Sequence, residues 1–574
     1  SCCLPYHKPD KSSSPASKTD SKKYSDTFYF PFSEKHLLQT LFLKGMSHEK
    51  QIQLLILYHH LIFFMTNTAE NNKRIAKNTL LLYFRMLLTM AVTLYTSRVI
   101  LATLGIEDFG IYNAVAGFIT MFTSITGAMS TATQRFLTYA LGEKNTKQLA
   151  KTFNMAIEIH ILMAIIILIL GESIGVWFLY EKMTIPIERL QAAFWVLQSA
   201  IFSTMIMLVS IPYNALIIAH EKMQTFAWIS IIEVVLKLLI VFLLNISPID
   251  KLILYSFMLL GVQLIIRILY GTYCKHSFSE SNFHFIWDRT MFKNMSSFAG
   301  WSLFGCLAGA GQTQGLNILL NIFFGPTVNA ARGITVQVQN AIQGFATNFQ
   351  TALNPQITKS YAAYNWDYTK FLLFLSSRVS IFLLFIISLP VLLETNQILT
   401  WWLDTPPDYT DKFIKIILLI TMIDALANPI IVAAQATGKI KKYQMTVGGC
   451  LLLTPVMAYI ALKLTHEPTM VFITQLCIAI IAQFIRIMII KKMLNFSMQE
   501  YFKSTVMPIF KACLPAFCIC WGITYLLEES FVRFFTTILS SVIINVIFIW
   551  FFGFNKNERK QISVVIKQKI KKGK

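Results

Sequence analysis

Charged side chains interrupt the long apolar segments of this sequence, and their chemistry is its most informative feature. An ionisable group near the centre of a lipid bilayer costs about 2.5 to 3.5 kcal/mol on insertion scales, so each is a candidate functional residue. Arginine pairs with phosphate oxygens through two parallel hydrogen bonds. Basic residues outnumber acidic ones in these segments, which predicts a binding site for an anionic group. The basic residues are Arg85, Arg98, Arg135, Lys237, Arg267, Arg332, Arg378 and Arg486, and the acidic ones are Glu158, Glu172, Glu233 and Asp424.

The arginines differ in their depth along these segments. Arg98 and Arg332 lie towards the predicted outer side in polar stretches, and we expect them to contact phosphate or sugar. For these two, the alternative is a hydrogen bond to backbone between two halves of the protein. Arg85 and Arg378 lie about two turns in from predicted cytoplasmic helix ends and are further candidates for substrate binding. The remaining arginines lie near cytoplasmic helix ends, where a long side chain reaches the headgroups as an anchor; they are Arg135, Arg267 and Arg486.

Amide side chains recur along one unusually polar segment. Asn340, Gln343 and Asn348 are followed by Gln350 and Asn354 in the same stretch. An amide both donates and accepts hydrogen bonds without carrying charge, which suits the hydroxyl groups of a sugar. This pattern predicts a glycan-binding surface. The alternative is hydrogen bonding between packed helices.

The acidic residues are candidates for coupling transport to an ion. Asp424 lies alone in mid-segment, one turn before Asn428-Pro429, and could bind Na⁺ or take up a proton. Glu233 and Lys237 are four residues apart and share a helix face. They form either a permanent ion pair or a pair that substrate phosphate or a coupling cation opens, which makes Lys237 a further substrate-binding candidate. Glu158 is a further candidate for ion coupling.

Motifs for catalysis, metal binding and nucleotide binding are absent from the sequence. The nine cysteines contain no C-x-x-C pair, and the ten histidines contain no H-E-x-x-H motif. No phosphate-binding loop of the form G-x-x-x-x-G-K-[ST] occurs. We therefore expect a protein that is not an enzyme, without catalytic residues, metal site or cofactor, and with Na⁺ or H⁺ as candidate coupling ions.

Membrane helices are the elements that must position these residues. The 574-residue chain is 55% hydrophobic and 14% charged, whereas soluble proteins carry about 25% charged residues. An apolar run of about 20 residues spans a bilayer as a helix. The predicted class is an all-α polytopic membrane protein with about fourteen transmembrane helices. Their approximate ranges are 79–103, 111–138, 153–180, 190–217, 224–245, 251–274, 297–323, 327–352, 370–394, 412–435, 443–463, 469–490, 506–527 and 531–553.

The distribution of charge fixes a predicted orientation. A formal net charge of +21 could suit a nucleic-acid-binding protein. However, the loops after even-numbered helices and the C-terminal tail are rich in Lys and Arg, whereas the loops after odd-numbered helices are acidic. The positive-inside rule therefore places both termini in the cytoplasm. We expect no nucleic-acid partner.

Two pairs of segments recur at nearly the same separation. The segment beginning at Gly105 resembles that at Gly325, and IPYNALIIAHEKM around Pro212 matches NPIIVAAQATGKI around Pro429. A shift of six helices keeps the orientation, so two parallel six-helix repeats with a binding site between them are predicted. The predicted domains are a non-native or disordered extension (1–64), a first lobe (65–274), a cytoplasmic linker (275–290), a second lobe (291–492), two additional helices (493–553) and a basic cytoplasmic tail (554–574).

Four stretches carry a family resemblance: TSRVILATLGIEDFGIYNAVAGF, STATQRFLTYALGEKN, FATNFQTALNPQITKSYA and AQATGKIKKY. Together they resemble the polysaccharide-flippase branch of the multidrug/oligosaccharidyl-lipid/polysaccharide (MOP) exporter superfamily, which is related to MATE transporters. The resemblance implies two six-helix lobes around a V-shaped cavity. It also implies alternating-access transport of an undecaprenyl-diphosphate-linked oligosaccharide across the bacterial inner membrane, for O-antigen, lipopolysaccharide or capsule synthesis. Membrane lipids, a polysaccharide polymerase and glycosyltransferases are the implied partners.

Two other functions compete with this hypothesis. The first is a Na⁺- or H⁺-coupled multidrug exporter of the same superfamily, since one fold can host several functions. The second is a membrane glycosyltransferase or polymerase, which would require acidic catalytic residues in a sizeable segment outside the membrane. The longest external loop, 394–412, is too short for such a domain.

Overall fold

The computed structural model describes residues 74–563, apart from residues 76, 94, 97, 98, 101, 106, 113, 116–121, 184, 247, 404, 405, 557, 561 and 562. The regular secondary structure of these residues is helical, without a strand. The predicted all-α class is therefore confirmed. The predicted extension 1–64, the end of the basic tail and Arg98 lie outside the described residues.

The N-terminal half comprises helices α1 to α8. Asn145 and Asp250 cap two of them, because their side-chain oxygens accept hydrogen bonds from the first free backbone N–H groups. A π turn, Gly171–Gly175, links α4 to α5. The helices are α1 (77–93), α2 (107–112), α3 (Thr123–Gly142), α4 (Thr146–Leu170), α5 (Val176–Glu181), α6 (Leu190–Ala219), α7 (Met223–Ile246) and α8 (Lys251–Ser277).

Helix α9 (Arg289–Ala362) consists of two helical arms joined by a sharp bend. It starts at Asp288, whose Oδ1 accepts a hydrogen bond from Met291 N at 2.9 Å. A second hydrogen bond, donated by Lys151 Nζ, holds the pKa of Asp288 below its ordinary value. The bend lies at Gly325, which has φ 75° and ψ −168°, a backbone conformation open almost only to glycine. The two predicted helices 297–323 and 327–352 are the two arms of α9.

The C-terminal half continues from α9 with helices that are mostly long and apolar. Asn365, Ser497 and Ser530 cap three of them through side-chain hydrogen bonds. A π turn, Phe502–Val506, joins α15 to α16, and another, Ile549–Gly553, follows α17. The helices are α10 (Trp366–Leu393), α11 (Thr395–Leu403), α12 (Thr410–Ala436), α13 (Lys441–Thr465), α14 (Thr469–Leu494), α15 (Met498–Tyr501), α16 (Met507–Leu526) and α17 (Phe531–Phe548).

Ten helical segments of the described chain are long and apolar enough to cross a membrane. They correspond to the predicted spans other than the first, second, seventh and eighth. Those four are represented by α1, α3 and the two arms of α9, which carry many of the polar residues singled out above. The chain is thus a multi-pass membrane protein, and the count of about fourteen spans stays a prediction.

Each half of the protein is stabilised by its own apolar core. One core packs Phe153 of α4 and Leu216 of α6 against buried residues of α7 and α8. Another packs Leu353 of α9 and Leu372 of α10 against α12, α13 and α14. The additional helices α16 and α17 pack on α10 around Leu389. Side chains that could line a substrate path therefore lie between packed cores.

Loops that the charge pattern places on one side of the membrane meet one another. Arg189 Nε donates to Asp108 Oδ1 at 2.8 Å, and Arg189 Nη1 lies 2.5 Å from Asp250 Oδ2; all three residues belong to predicted external loops. Glu221 and Lys359, from predicted cytoplasmic segments, lie 2.6 Å apart. These pairings agree with the predicted alternation of loops, although the side of the membrane stays a prediction.

Candidate functional site

A polar cavity of about 390 Å³ lies between the two halves. Helix α3 forms its N-terminal wall, whereas α9, α12 and α14 form its C-terminal wall. Amides and hydroxyls dominate the lining, and Gln343 reaches it from the polar segment of α9. The lining residues are Thr131, Gln134, Arg135, Thr138, Gln343, Asn354, Pro355, Thr358, Asp424, Ala427, Asn428, Ile431, Val432, Gln435 and Arg486.

Two arginines give this cavity a cationic character. Arg135 of α3 donates from Nε to Gln435 O at 3.1 Å and from Nη2 to Ala436 O at 3.0 Å, so it crosses from one half to the end of α12. Arg486 of α14 is 5% exposed, and its Nε and Nη1 find no hydrogen-bond partner among the described residues. A buried guanidinium with free donors is strongly disposed to bind an anion.

Asp424 is the acidic residue of the same lining. It lies on α12, one turn before Pro429, and it interacts electrostatically with Arg486. The structure therefore places Asp424, the predicted ion-coupling carboxylate, beside a cation within the cavity between the halves. A coupling ion bound at Asp424 would weaken the attraction between Asp424 and Arg486.

A second polar space adjoins the first around Arg85. One cavity of about 450 Å³ brings together Arg85, Asn340, Gln343 and Asn348, all predicted from the sequence as substrate-binding residues. A further cavity of about 340 Å³ extends from Arg85 along α1. The Arg85 guanidinium lies 4.5 Å from the ring centre of Phe226 on α7, a cation–π contact. Gln343 lines both polar spaces and so connects them.

The other predicted arginines lie elsewhere. Arg332 donates from Nη2 to Thr313 O at 2.9 Å and lies 5.9 Å from the Phe472 ring centre, within the packed C-terminal half. Arg378 forms a buried ion pair with Glu558 and donates to Gly553 O at 3.3 Å, so it fastens the C-terminal segment. Neither lines the cavities around Arg85 and Arg486. Arg98 lies outside the described residues.

The remaining ion-coupling candidates have local partners. Glu233 and Lys237 form the predicted pair on α7, with Lys237 Nζ 2.6 Å from Glu233 Oε1. Glu233 also interacts electrostatically with Arg85, so the pair borders the second polar space. Glu158 Oε1 accepts a hydrogen bond from Ile286 N at 2.7 Å, which ties it to the linker after α8.

A cluster around Glu221 joins the two halves at the predicted cytoplasmic end. The Glu221 side chain is 1% exposed and forms ion pairs with Arg74 at 2.9 Å and Lys359 at 2.6 Å. Gln356 Nε2 donates to Glu221 Oε2, the oxygen that Arg74 also contacts, at 2.6 Å. Because Glu221 belongs to the α6–α7 turn, whereas Lys359 and Gln356 lie on α9, this Glu221 cluster holds the two halves together beside the cavity.

Close packing supports the same junction. A Cβ added at Gly142, the last residue of α3, would lie 2.6 Å from Ala362 Cβ and 2.8 Å from Lys359 O. Only a residue without a side chain allows α3 and α9 to approach so closely. Sequence reasoning interpreted Arg135 and Arg486 as helix-end anchors, whereas both line the cavity, and it did not identify Glu221. The STATQRFLTYALGEKN stretch, which contains Arg135 and Gly142, was the signal that could have identified this junction.

Comparison with known proteins identifies the fold of this chain. The MatE family model matches residues 312–460, and no curated protein matches the chain. A multidrug resistance MATE family transporter of the MOP superfamily in an outward-facing conformation is 12% identical, with a TM-score of 0.62, over 74% of this chain and 97% of that one. The protein has the MATE transporter fold. The predicted fold class is thereby confirmed.

Two further solved structures are similar to this chain over most of their length. A MATE in the straight conformation is 13% identical, with a TM-score of 0.62, over 74% of this chain and 97% of that one. A MOP superfamily transporter from Pyrococcus furiosus, described as having a binding pocket of reverse polarity that suggests a different function, is 12% identical with a TM-score of 0.60, over 74% and 97% of the two chains. At these identities the MATE fold is shared, whereas the substrate must be argued from the site.

Proposed function

We propose that this MATE-fold protein is a flippase that moves an undecaprenyl-diphosphate-linked oligosaccharide across the bacterial inner membrane. The observation that supports the proposal is that two arginines, Arg135 and Arg486, line the same cavity between the halves. Asp424 is the one acidic residue among the described residues that line this cavity. A pocket for a cationic drug would favour the opposite balance of charge.

The lining residues suit the separate parts of such a substrate. Arg486 offers buried donors to a diphosphate, and Arg85 supplies a second cation in the adjoining space. Asn340, Gln343 and Asn348 present amides to sugar hydroxyls. The polyprenyl tail stays in the bilayer, since burying it between the halves would offer no gain over lipid.

Alternating access would act through the Glu221 cluster. Its bonds join the halves at the predicted cytoplasmic end, so they must open before substrate enters from that side. The Arg135 bonds to Gln435 and Ala436 must open with them. Substrate phosphate that attracts Arg135 would compete with these carbonyls. Asp424 is the candidate site for Na⁺ or H⁺ coupling, and the polymerase and glycosyltransferases of surface-polysaccharide synthesis are the expected partners.

The test is complementation of a strain that lacks the protein. The Arg135→Ala, Arg486→Ala double variant should reduce surface glycan at least about tenfold, because each charge-assisted hydrogen bond contributes roughly 1.5 to 3 kcal/mol. Lipid-linked oligosaccharide should accumulate while protein levels stay normal. The matched control is Arg289→Ala, which removes an exposed cation outside the cavity. Full glycan display by the double variant would disprove the assignment of this site.

A multidrug exporter is the second candidate function, and Asp424 is the observation that favours it. A carboxylate facing the cavity can exchange a proton for a cationic drug, as such antiport requires. Overexpression of the wild-type protein and of Asp424→Asn would distinguish the two functions. Drug resistance that depends on Asp424, without any change in surface glycan on deletion, would favour the exporter over the flippase.

A further inference from the structure

A second cationic cavity lies at the predicted cytoplasmic end, away from the site between the halves. It has a volume of about 760 Å³ and is formed by α6, the end of α8 and the linker 278–288. Its polar lining includes Tyr213, Arg267, Thr272, Lys275, Asn282 and His284. No acidic residue belongs to its described lining. The proposed transport function uses none of these residues.

The two cations of this cavity have no acidic partner among the described residues. The Arg267 guanidinium lies 4.0 Å from the ring centre of Tyr213, and its Nη1 would lie 2.7 Å from a Cβ added at Gly271. Lys275, two turns further along α8, is exposed. Glu280, the nearby acid of the linker, is already bound to His220 Nε2 at 2.6 Å. The cavity therefore has a net positive charge.

The linker beside this cavity is bound to α4, and its backbone is extended at Asn282 and at Asp288. His284 N donates to Asn154 Oδ1 at 3.0 Å, and Ile286 N donates to Glu158 Oε1 at 2.7 Å. Asn154 and Glu158 are four residues apart on α4, so one face of that helix binds alternate backbone amides of the linker. The hydrogen bond from Ile286 N gives Glu158 a structural role in holding the linker.

Aromatic side chains point away from this attachment. Phe283, Phe285 and Trp287 occupy the intervening positions and are 48%, 74% and 58% exposed. In an extended segment alternate side chains lie on the same side, so the three form one aromatic row. Exposed aromatic side chains beside cations are typical of the membrane–water interface, where rings lie at the headgroup level.

We propose that the cavity around Arg267 and Lys275 binds the phosphate headgroup of an anionic phospholipid, with the aromatic row inserted into the same leaflet. Charge complementarity selects an anionic lipid, because two unpaired cations line the cavity. The row selects a lipid surface rather than a soluble phosphate, because three exposed rings gain free energy only on leaving water. The bound lipid would anchor the linker that connects the two halves.

The test measures binding of phosphatidylglycerol to the full-length protein in neutral detergent. The Arg267→Gln, Lys275→Gln double variant should bind this lipid about tenfold to thirtyfold more weakly, since each cation near a lipid surface contributes about a factor of five. The matched control is Arg289→Gln, Lys293→Gln, which removes the same charge from exposed positions outside the cavity. Its affinity should stay within about twofold of the wild-type value. An equal loss in both double variants would overturn the proposal.

Two further measurements separate this proposal from its alternatives. Lys275→Gln alone, at an exposed position that cannot disturb the Tyr213 contact, should still weaken binding severalfold. In vesicles with brominated phosphatidylglycerol, Trp287→Phe should remove a quenched part of the tryptophan fluorescence. Competition by millimolar inorganic phosphate as effective as that by lipid would mean a free-phosphate site and would overturn the lipid assignment. Unchanged quenching in Trp287→Phe would equally overturn insertion of the row.

Discussion

At the scale of single residues, two buried arginines of this protein differ in their access to the cavity between the halves. Arg486 and Arg332 are each 5% exposed, and each has at least one side-chain nitrogen without a partner among the described residues. Only Arg486 borders the cavity between the halves. Arg332 instead donates to Thr313 O inside a packed helical layer. Because the two side chains are equally buried, replacing either one should lower stability by a similar amount. Because only Arg486 borders the cavity, only its replacement should weaken substrate binding.

This difference can be measured with matched substitutions. Arg486→Gln should weaken binding of undecaprenyl diphosphate at least about tenfold, because a charge-assisted hydrogen bond contributes roughly 1.5 to 3 kcal/mol. Arg332→Gln should lower thermal stability but leave the affinity within about twofold. Titration of the purified protein by microscale thermophoresis gives both affinities. Equal losses in the two variants would mean that the Arg486 cavity is not the phosphate site.

The Arg378–Glu558 pair makes a separate prediction about stability. Both side chains are almost fully buried, so removing one leaves an uncompensated charge. Glu558→Gln should lower the free energy of unfolding by about 3 to 5 kcal/mol. Arg378→Met combined with Glu558→Leu should recover most of that loss, since apolar replacements of similar volume are often neutral. Thermal unfolding in detergent measures both. A fully stable Glu558→Gln variant would contradict the pairing.

Local sequence located some site residues but not others, for a physical reason. Some predicted residues are polar although their helices should cross the apolar bilayer, and this conflict identifies them as inward-facing. They are Arg85 of α1 and Asn340, Gln343 and Asn348 of α9. Arg135 lies near a helix end, where anchoring is the ordinary expectation. Its partners Gln435 and Ala436 are 300 residues away and 301 residues away, so only the packed fold reveals its role. Arg378 likewise depends on a distant partner, Glu558.

At the scale of elements, the bend in α9 shows both the strength and the limit of sequence reasoning. The predicted spans 297–323 and 327–352 require a break between them, and the structure has one at Gly325. The sequence does not show how the two arms then pack, because that depends on contacts between residues that are distant along the chain. In the structure Arg332 of the second arm donates to Thr313 O of the first at 2.9 Å, so the arms fold back on each other at Gly325, which has φ 75°.

Two glycines of α9 provide an internal test of this bend. A Cβ at Gly325 or at Gly333 would meet nothing within 4 Å, so steric contact is equal, but only Gly325 has a positive φ. Gly325→Ala should therefore lower stability by about 1 to 3 kcal/mol through backbone strain. Gly333→Ala should be neutral or stabilising by up to about 1 kcal/mol. Thermal unfolding of the two variants compares them. A fully stable Gly325→Ala variant would mean that the backbone at this position is not held at a positive φ.

At the scale of the whole molecule, the two halves meet through apolar clusters, in which Met129 packs with Phe298, and through polar contacts beside the cavity. Glu221 is the centre of that contact, and its side chain is almost completely buried between Lys359, Gln356 and Arg74. Breaking a buried ion pair by removing one partner costs about 3 to 5 kcal/mol. Because every 1.4 kcal/mol changes a conformational equilibrium tenfold, this cluster is strong enough to decide which end of the cavity is closed.

Removing Glu221 should therefore open the cavity towards the predicted cytoplasmic end. Asn354→Cys, in a background with the native cysteines replaced, places a thiol in the cavity lining. Glu221→Ala should raise the labelling rate of this thiol by an impermeant maleimide at least about tenfold in inside-out vesicles, because the closed state loses its buried pair. Glu280→Ala is the matched control, since it removes a carboxylate paired at the same end with His220, within one half. Equal labelling in Glu221→Ala and the control would mean that other contacts, such as the close approach at Gly142, hold the cavity closed.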